Sequence, residues 1–186
     1  MKSYYLPFLP MAEIDSILLL SLYDLAEYHA DTKAFDTVIY TSQKSLADKL
    51  KVSPSSISRL FSDERYKDFM EVDTKLKVIK LKNSFVKGTN RPFVRLTAEE
   101  VALIREKKDN LFSKYLIYLK YYCGYTGNNT DFTAKQFLTA CGYSIRSNET
   151  LNRVSKYNGF LVDRRVIEII AYRDEMGHTR NKSRYL

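Results

Sequence analysis

Four serines and an arginine, Ser55, Ser56, Ser58, Arg59 and Ser62, crowd one nine-residue stretch of this chain. Hydroxyls and a guanidinium are hydrogen-bonding groups. The serines and the arginine read as contact groups. Ser53-Pro54 precedes them, a serine suited to cap a helix and a proline suited to its first turn. If Ile57 points inward, a helix turning about 100° per residue carries Ser55, Arg59, Ser62 and Tyr66 outward. Lys44 lies near the start of the preceding segment, where free N–H groups attract anions. Downstream, Lys82, Lys87 and Arg91 form a basic loop suited to phosphates or a narrow groove. A second set sits near the other end of the chain: Arg146, Asn148, Asn152, Arg153, Lys156 and Arg180, with Glu149 among them.

Chemistry of other kinds has little support. No Gly-x-x-x-x-Gly-Lys-Ser/Thr run is present, and no Cys/His cluster has zinc spacing. His29 and His178 are isolated, and Glu99-Glu100 fits a helix cap better than an acid–base pair. The expectation is a protein that is not an enzyme and takes no cofactor or metal. Cys123 and Cys141 lie in apolar helical patterns and read as buried free thiols in a reducing cytoplasm. No run of about 18 apolar residues offers a membrane span. The Tyr115–Tyr125 cluster would stack on bases, or, at helical spacing beside Leu116 and Leu119, form core or a dimer face.

The charge is unevenly placed. The 186 residues carry +8 overall, with −4 over 1–41, +7 over 42–96 and +4 over 143–186. Excess positive charge in two blocks favours a polyanionic partner.

The elements that would position these residues follow from periodicity and caps. An extended arm (1–10) leads to a helix over 11–30 and a strand over Val38 to Tyr40. A short helix over Gln43 to Leu50, the connection Lys51-Val52-Ser53 and a helix from Pro54 to about Ser62 come next. Strands are expected over Phe69 to Val72, Leu76 to Leu81 and Pro92 to Leu96, the last two forming a hairpin around the basic loop. Thr97 opens a long helix to about Cys123. Then the order recurs: a helix capped by Thr133, another capped by Ser147 and ending at Gly159, and strands over Phe160-Leu161-Val162, Val166 to Tyr172 and Arg184 to Leu186. Short residue matches at offsets of 88 or 89 support an internal repeat, Phe69 to Val72 with Phe160 to Asp163 and Lys77 to Leu81 with Arg165 to Ile169. The fold class expected is α+β, mainly α, in two units, 1–96 and 97–186.

Helix, short helix, turn, helix and hairpin is the winged helix-turn-helix order. The stretch from Ser42 to Arg59 with its basic hairpin resembles bacterial winged-helix DNA-binding domains, and two such units joined by a long helix resemble plasmid and phage replication initiators. The resemblance implies sequence-specific binding of double-stranded DNA at repeated origin sites and delivery of the origin to host replication proteins. A transcriptional regulator of the same fold, or a helicase-loader or primosome adaptor that binds proteins, are the competing readings. The apolar first helix would serve as a homodimer face or as ordinary core.

Overall fold

A computed structural model describes residues 3–7, 20, 30–31, 36–64, 67, 70–73, 75–82, 93–126, 129–130 and 132–186. They belong to two compact units that divide between Lys108 and Asp109. The expected helix over 11–30 lies outside the described residues apart from Leu20, which is helical and buried. The fold is mixed, helices with small antiparallel sheets.

In the first unit, strands β1 (Ser3–Pro7), β2 (Ala30–Asp31) and β3 (Asp36–Tyr40) precede helix α1 (Gln43–Leu50) and helix α2 (Pro54–Ser62). Ser42 caps α1 by accepting the Ser45 N–H, and Ser53 caps α2 by accepting the Ser56 N–H. Between them Lys51 takes the left-handed conformation (φ 54°) and its N–H closes onto the Ala47 and Asp48 carbonyls. Leu46, Ala47, Ile57 and Leu60 are buried, one apolar face per helix. Strands β4 (Met70–Asp73), β5 (Val78–Lys82) and β6 (Phe93–Thr97) follow.

The strand pairing differs from the expected hairpin. β5 lies between β3 and β4, in the order β2-β3-β5-β4, whereas β6 pairs with β1 in a separate two-stranded sheet. The tight hairpin is therefore β4–β5. Asp73 shapes its turn: Oδ1 accepts the N–H groups of Lys75 and Leu76, both at 2.9 Å. Lys77 completes the turn at φ 57°. Phe93–Thr97 prefers the N-terminal arm, whose residues Ser3 to Pro7 match it along its whole length.

The expected long helix is two helices. Helix α3 (Ala98–Lys107) starts with the anticipated capping box, Thr97 and Glu100 bonding reciprocally. It stops at Lys108, again left-handed (φ 49°). Asp109 then caps helix α4 (Asn110–Thr126) by accepting from Leu111 N–H at 2.9 Å and Phe112 N–H at 3.4 Å.

The second unit continues with β7 (Asn129–Thr130), helix α5 (Ala134–Ala140), helix α6 (Asn148–Asp163), β8 (Ile167–Arg173) and β9 (Thr179–Tyr185). Thr133 and Ser147 cap the two helices as expected. Gly159, however, does not end α6, and Phe160-Leu161-Val162 is helical and not a strand. An interior glycine costs about 1 kcal/mol in a helix. Continuing the helix seats Leu161 in the core after Val154 and Tyr157, and stacks Phe160 edge-on against Phe112 at 5.4 Å. Burial of one such side chain is worth about 1.5–3 kcal/mol, so packing wins. β9 also starts at Thr179, five residues before the expected Arg184.

The sheet order here is β7-β9-β8. It has the order of β3-β5-β4, first strand, last strand, middle strand, although β3 also carries β2 on its outer side whereas β7 lies at an edge. A three-strand order thus recurs in the two units, with partners other than those the short residue matches paired. β4 corresponds to β8 and β5 to β9; the short matches that set Phe69–Val72 against Phe160–Asp163 paired a strand with a helix end. The true residue-level echo is Asp73 with Asp174, whose Oδ1 likewise accepts from its turn, the N–H groups of Met176 and His178.

Phe112, Tyr115, Tyr118, Phe137 and Tyr157 form the aromatic core of this unit, with ring centroids 5.0–6.0 Å apart in its edge-on and tilted pairs. That places Tyr115 and Tyr118 in the core and away from any stacking surface. Both cysteines are buried free thiols, and burial pushes the Cys141 thiol up to about 11. Among the described residues, no helix is long and apolar enough to cross a membrane.

Candidate nucleic-acid interface

In the first unit the burial of one face of α2 fixes what the helix presents. With Ile57 and Leu60 buried, Ser55, Ser58, Arg59 and Ser62 are exposed, and Ser56 is half-buried. Tyr66 lies outside the described residues, and α2 ends at Ser62, before that position. The serines are not equivalent. Ser53 Oγ lies 2.8 Å from Ser55 Oγ and 2.9 Å from Ser56 Oγ, so these hydroxyls cluster at the cap. Ser62 Oγ donates to the Arg59 carbonyl at 3.2 Å. Ser58 and the Arg59 guanidinium extend outward with no hydrogen bond or ion pair among the described residues.

The hairpin rises beside the same helices. Thr41 N–H donates to Lys77 O at 2.8 Å, tying the start of α1 to the foot of the turn. A half-open cleft of about 420 Å³ lies between them, lined among others by Ser42, Lys44, Phe61, Asp73 and Lys77. Lys44, Lys75 and Lys77 are exposed and unpaired among the described residues. Lys44 and Lys77 thus meet at one cleft, which Phe61 at the end of α2 also lines.

The expected hairpin cations fare differently. Lys82 ends β5 opposite Asp36, at the far end from the turn, so it is not a tip residue. Lys87 and Arg91 lie outside the described residues. Lys75 and Lys77 take the tip position. The sequence signal for this tip is Asp73-Thr74-Lys75, a polar run with an Asp to cap the turn.

In the second unit, Arg146, Asn148, Glu149, Asn152, Arg153, Ser155 and Lys156 are exposed. Two of the expected cations are committed within the fold. Arg153 Nη2 binds both oxygens of Asp109, at 3.0 and 2.9 Å, and the Tyr157 hydroxyl donates to the same carboxylate. Burial pushes the Asp109 carboxyl up, but the Tyr157 and Arg153 hydrogen bonds outweigh it and hold it below its ordinary value. Arg180 Nε donates to Asp174 Oδ2 at 2.7 Å, so the turn-shaping carboxylate also takes this cation. That bond, followed by the His178 N–H, holds Asp174 low. Arg146, Asn148, Asn152 and Lys156 keep outward positions around α6.

A helix face of hydroxyls and one guanidinium, beside a cationic turn, can donate to base edges and phosphates together. No protein-family model matches the chain, and a comparison with curated proteins finds no match.

Proposed function

We propose that the chain is a sequence-specific double-stranded DNA-binding protein built from two winged helix-turn-helix units, acting as a replication initiator of the plasmid or phage type. The observation that carries the DNA reading is the coincidence of α1, turn, α2 and the β3-β5-β4 sheet with the outward Ser58 and Arg59. In this reading α2 enters a major groove about 12 Å wide. Arg59 addresses a guanine edge, Ser55, Ser58 and Ser62 contact bases or phosphate, and Lys44, Lys75 and Lys77 neutralise the backbone. The recurrence of the same topology in the second unit supports a tandem protein. There Asn148, Asn152, Arg146 and Lys156 are the contact residues.

Selection of bound sites from a random duplex pool tests the reading, with Arg59→Ala in parallel. The variant should lose about 1–3 kcal/mol on the selected site and relax preference at one position. No duplex binding at low salt, or an unchanged preference, removes α2 as a reading helix. Recovery of iterated sites flanking the gene favours an initiator over a transcriptional regulator.

A further inference from the structure

Six large apolar side chains are exposed among the described residues, and the two most exposed are Met176 at 80% and Leu76 at 71%. Scattered exposed apolar residues are ordinary on a protein surface. These two occupy the same place, the tip of the β4–β5 hairpin and the tip of the β8–β9 hairpin. Each stands on a turn shaped by an aspartate, Asp73 or Asp174, that accepts its backbone N–H groups. Neither turn requires an apolar side chain there: the cap is the aspartate's task, and the left-handed residue is Lys77 in one and Gly177 in the other.

We infer that Leu76 is an apolar wedge that enters the minor groove of duplex DNA, partly unstacks a base step and kinks the helix. The inference rests on the proposed duplex binding and adds a mechanism to it. Apolar side chains that pry open base steps work when cations on either side hold the phosphates. Leu76 has Lys75 and Lys77 as its chain neighbours, both exposed, and the Asp73 carboxylate beside them is turned to backbone N–H groups. The Met176 tip lacks that setting. Glu175 adjoins it, and Arg180 is paired with Asp174. Met176 is therefore the comparison and Leu76 the wedge.

The full chain is mixed with a mixed-sequence duplex of about 40 base pairs carrying 2-aminopurine at scattered positions and a fluorophore pair at its ends, which reports bends of tens of degrees. Binding should raise 2-aminopurine fluorescence and shorten the end-to-end distance. Leu76→Ser should abolish both changes and weaken binding several-fold, with the slope of log affinity against log salt unchanged, because no phosphate contact is lost. Leu76→Phe should restore unstacking, and Met176→Ser should leave it intact. Binding without unstacking overturns the wedge while the DNA reading stands. Absence of binding at low salt overturns both. Self-association abolished by Leu76→Ser, with duplex bending unaffected, would assign the tip to a second copy of the chain and overturn the wedge.

Discussion

Replacing Asp109 with alanine should destabilise the second unit by about 3 kcal/mol, far more than removing its cationic partner. Three roles are lost together. The carboxylate caps α4 through the Leu111 and Phe112 N–H groups, a contribution of about 1 kcal/mol. It accepts from the Tyr157 hydroxyl, on a residue only 3% exposed, and leaving that group unpaired costs about 1–2 kcal/mol. It pairs with Arg153, whose side chain is 44% exposed, so solvent screening limits that pair to about 0.5 kcal/mol. Arg153→Ala should therefore cost no more than about 1 kcal/mol, and Asp109→Asn, which keeps a capping oxygen, should fall between. Urea unfolding followed by far-UV circular dichroism gives the energies, and amide hydrogen exchange in α4 and α6 assigns them to this unit. The dependence on pH has a definite sign. The folded carboxyl sits below its ordinary value of 3.8, so its contribution is complete above that value and is lost as pH falls through the lower folded value. The gap between Asp109→Ala and the parent should close in strong acid. An Asp109→Ala loss under about 0.5 kcal/mol, or an Arg153→Ala loss as large as that of Asp109→Ala, refutes this apportioning.

Lys75→Ala and Lys77→Ala should each weaken duplex binding for all sequences alike and reduce the salt slope by about one; a sequence-selective loss in a site-selection assay contradicts a phosphate role. Arg153→Ala should leave duplex affinity near that of the parent in a titration at fixed salt, because its guanidinium is engaged by Asp109; a loss near 1–3 kcal/mol would make it a base-reading residue after all. Gly159→Ala should stabilise α6 by about 0.5–1 kcal/mol in the same urea titration, since an added Cβ meets nothing within 4 Å; a destabilised variant would show a backbone conformation that alanine resists.

Local features were legible in the sequence and non-local ones were not. The caps Ser53, Thr97, Thr133 and Ser147 fall at the expected positions, because a capping oxygen acts on N–H groups two or three residues away. The inward faces of α1 and α2 follow from 3.6-residue periodicity in the same way. Strand partners are not legible locally, because a strand run states which residues alternate and not which strand it joins. Phe93–Thr97 could pair with β5 by adjacency; the chain's first residues claim it. The break at Lys108–Asp109 was readable in Lys107-Lys108-Asp109-Asn110, four polar residues with a capping aspartate, but the apolar stripe on either side suggested continuity. Gly159 suggests an end to α6, but the stripe Val154, Tyr157, Leu161 crosses it and carries the helix on. The pair Arg153–Asp109 spans 44 positions and leaves no local trace.

That pair bears on why two units of one topology need not have one chemistry. Net charge by segment credits both with surplus cations, but a cation bonded to an internal carboxylate releases few counterions from DNA. In the second unit Arg153, Arg180 and Arg184 are bound to Asp109, Asp174 and Glu168. In the first, Lys44, Arg59, Lys75 and Lys77 have no such partner among the described residues. Asp73 and Asp174 show the difference in one position. Both shape a hairpin turn with Oδ1, but in Asp174 the second oxygen takes Arg180, whereas β5 offers Asp73 no arginine at all. In the proposed DNA reading, phosphate affinity follows where the acidic residues sit relative to the scaffold, and the scaffold itself is neutral on the matter. The greater share of the salt dependence should accordingly belong to the α2 face and the β4–β5 tip, with the second unit contributing through neutral hydrogen-bonding groups such as Asn148 and Asn152 and through Arg146 and Lys156, whose side chains have no partner among the described residues.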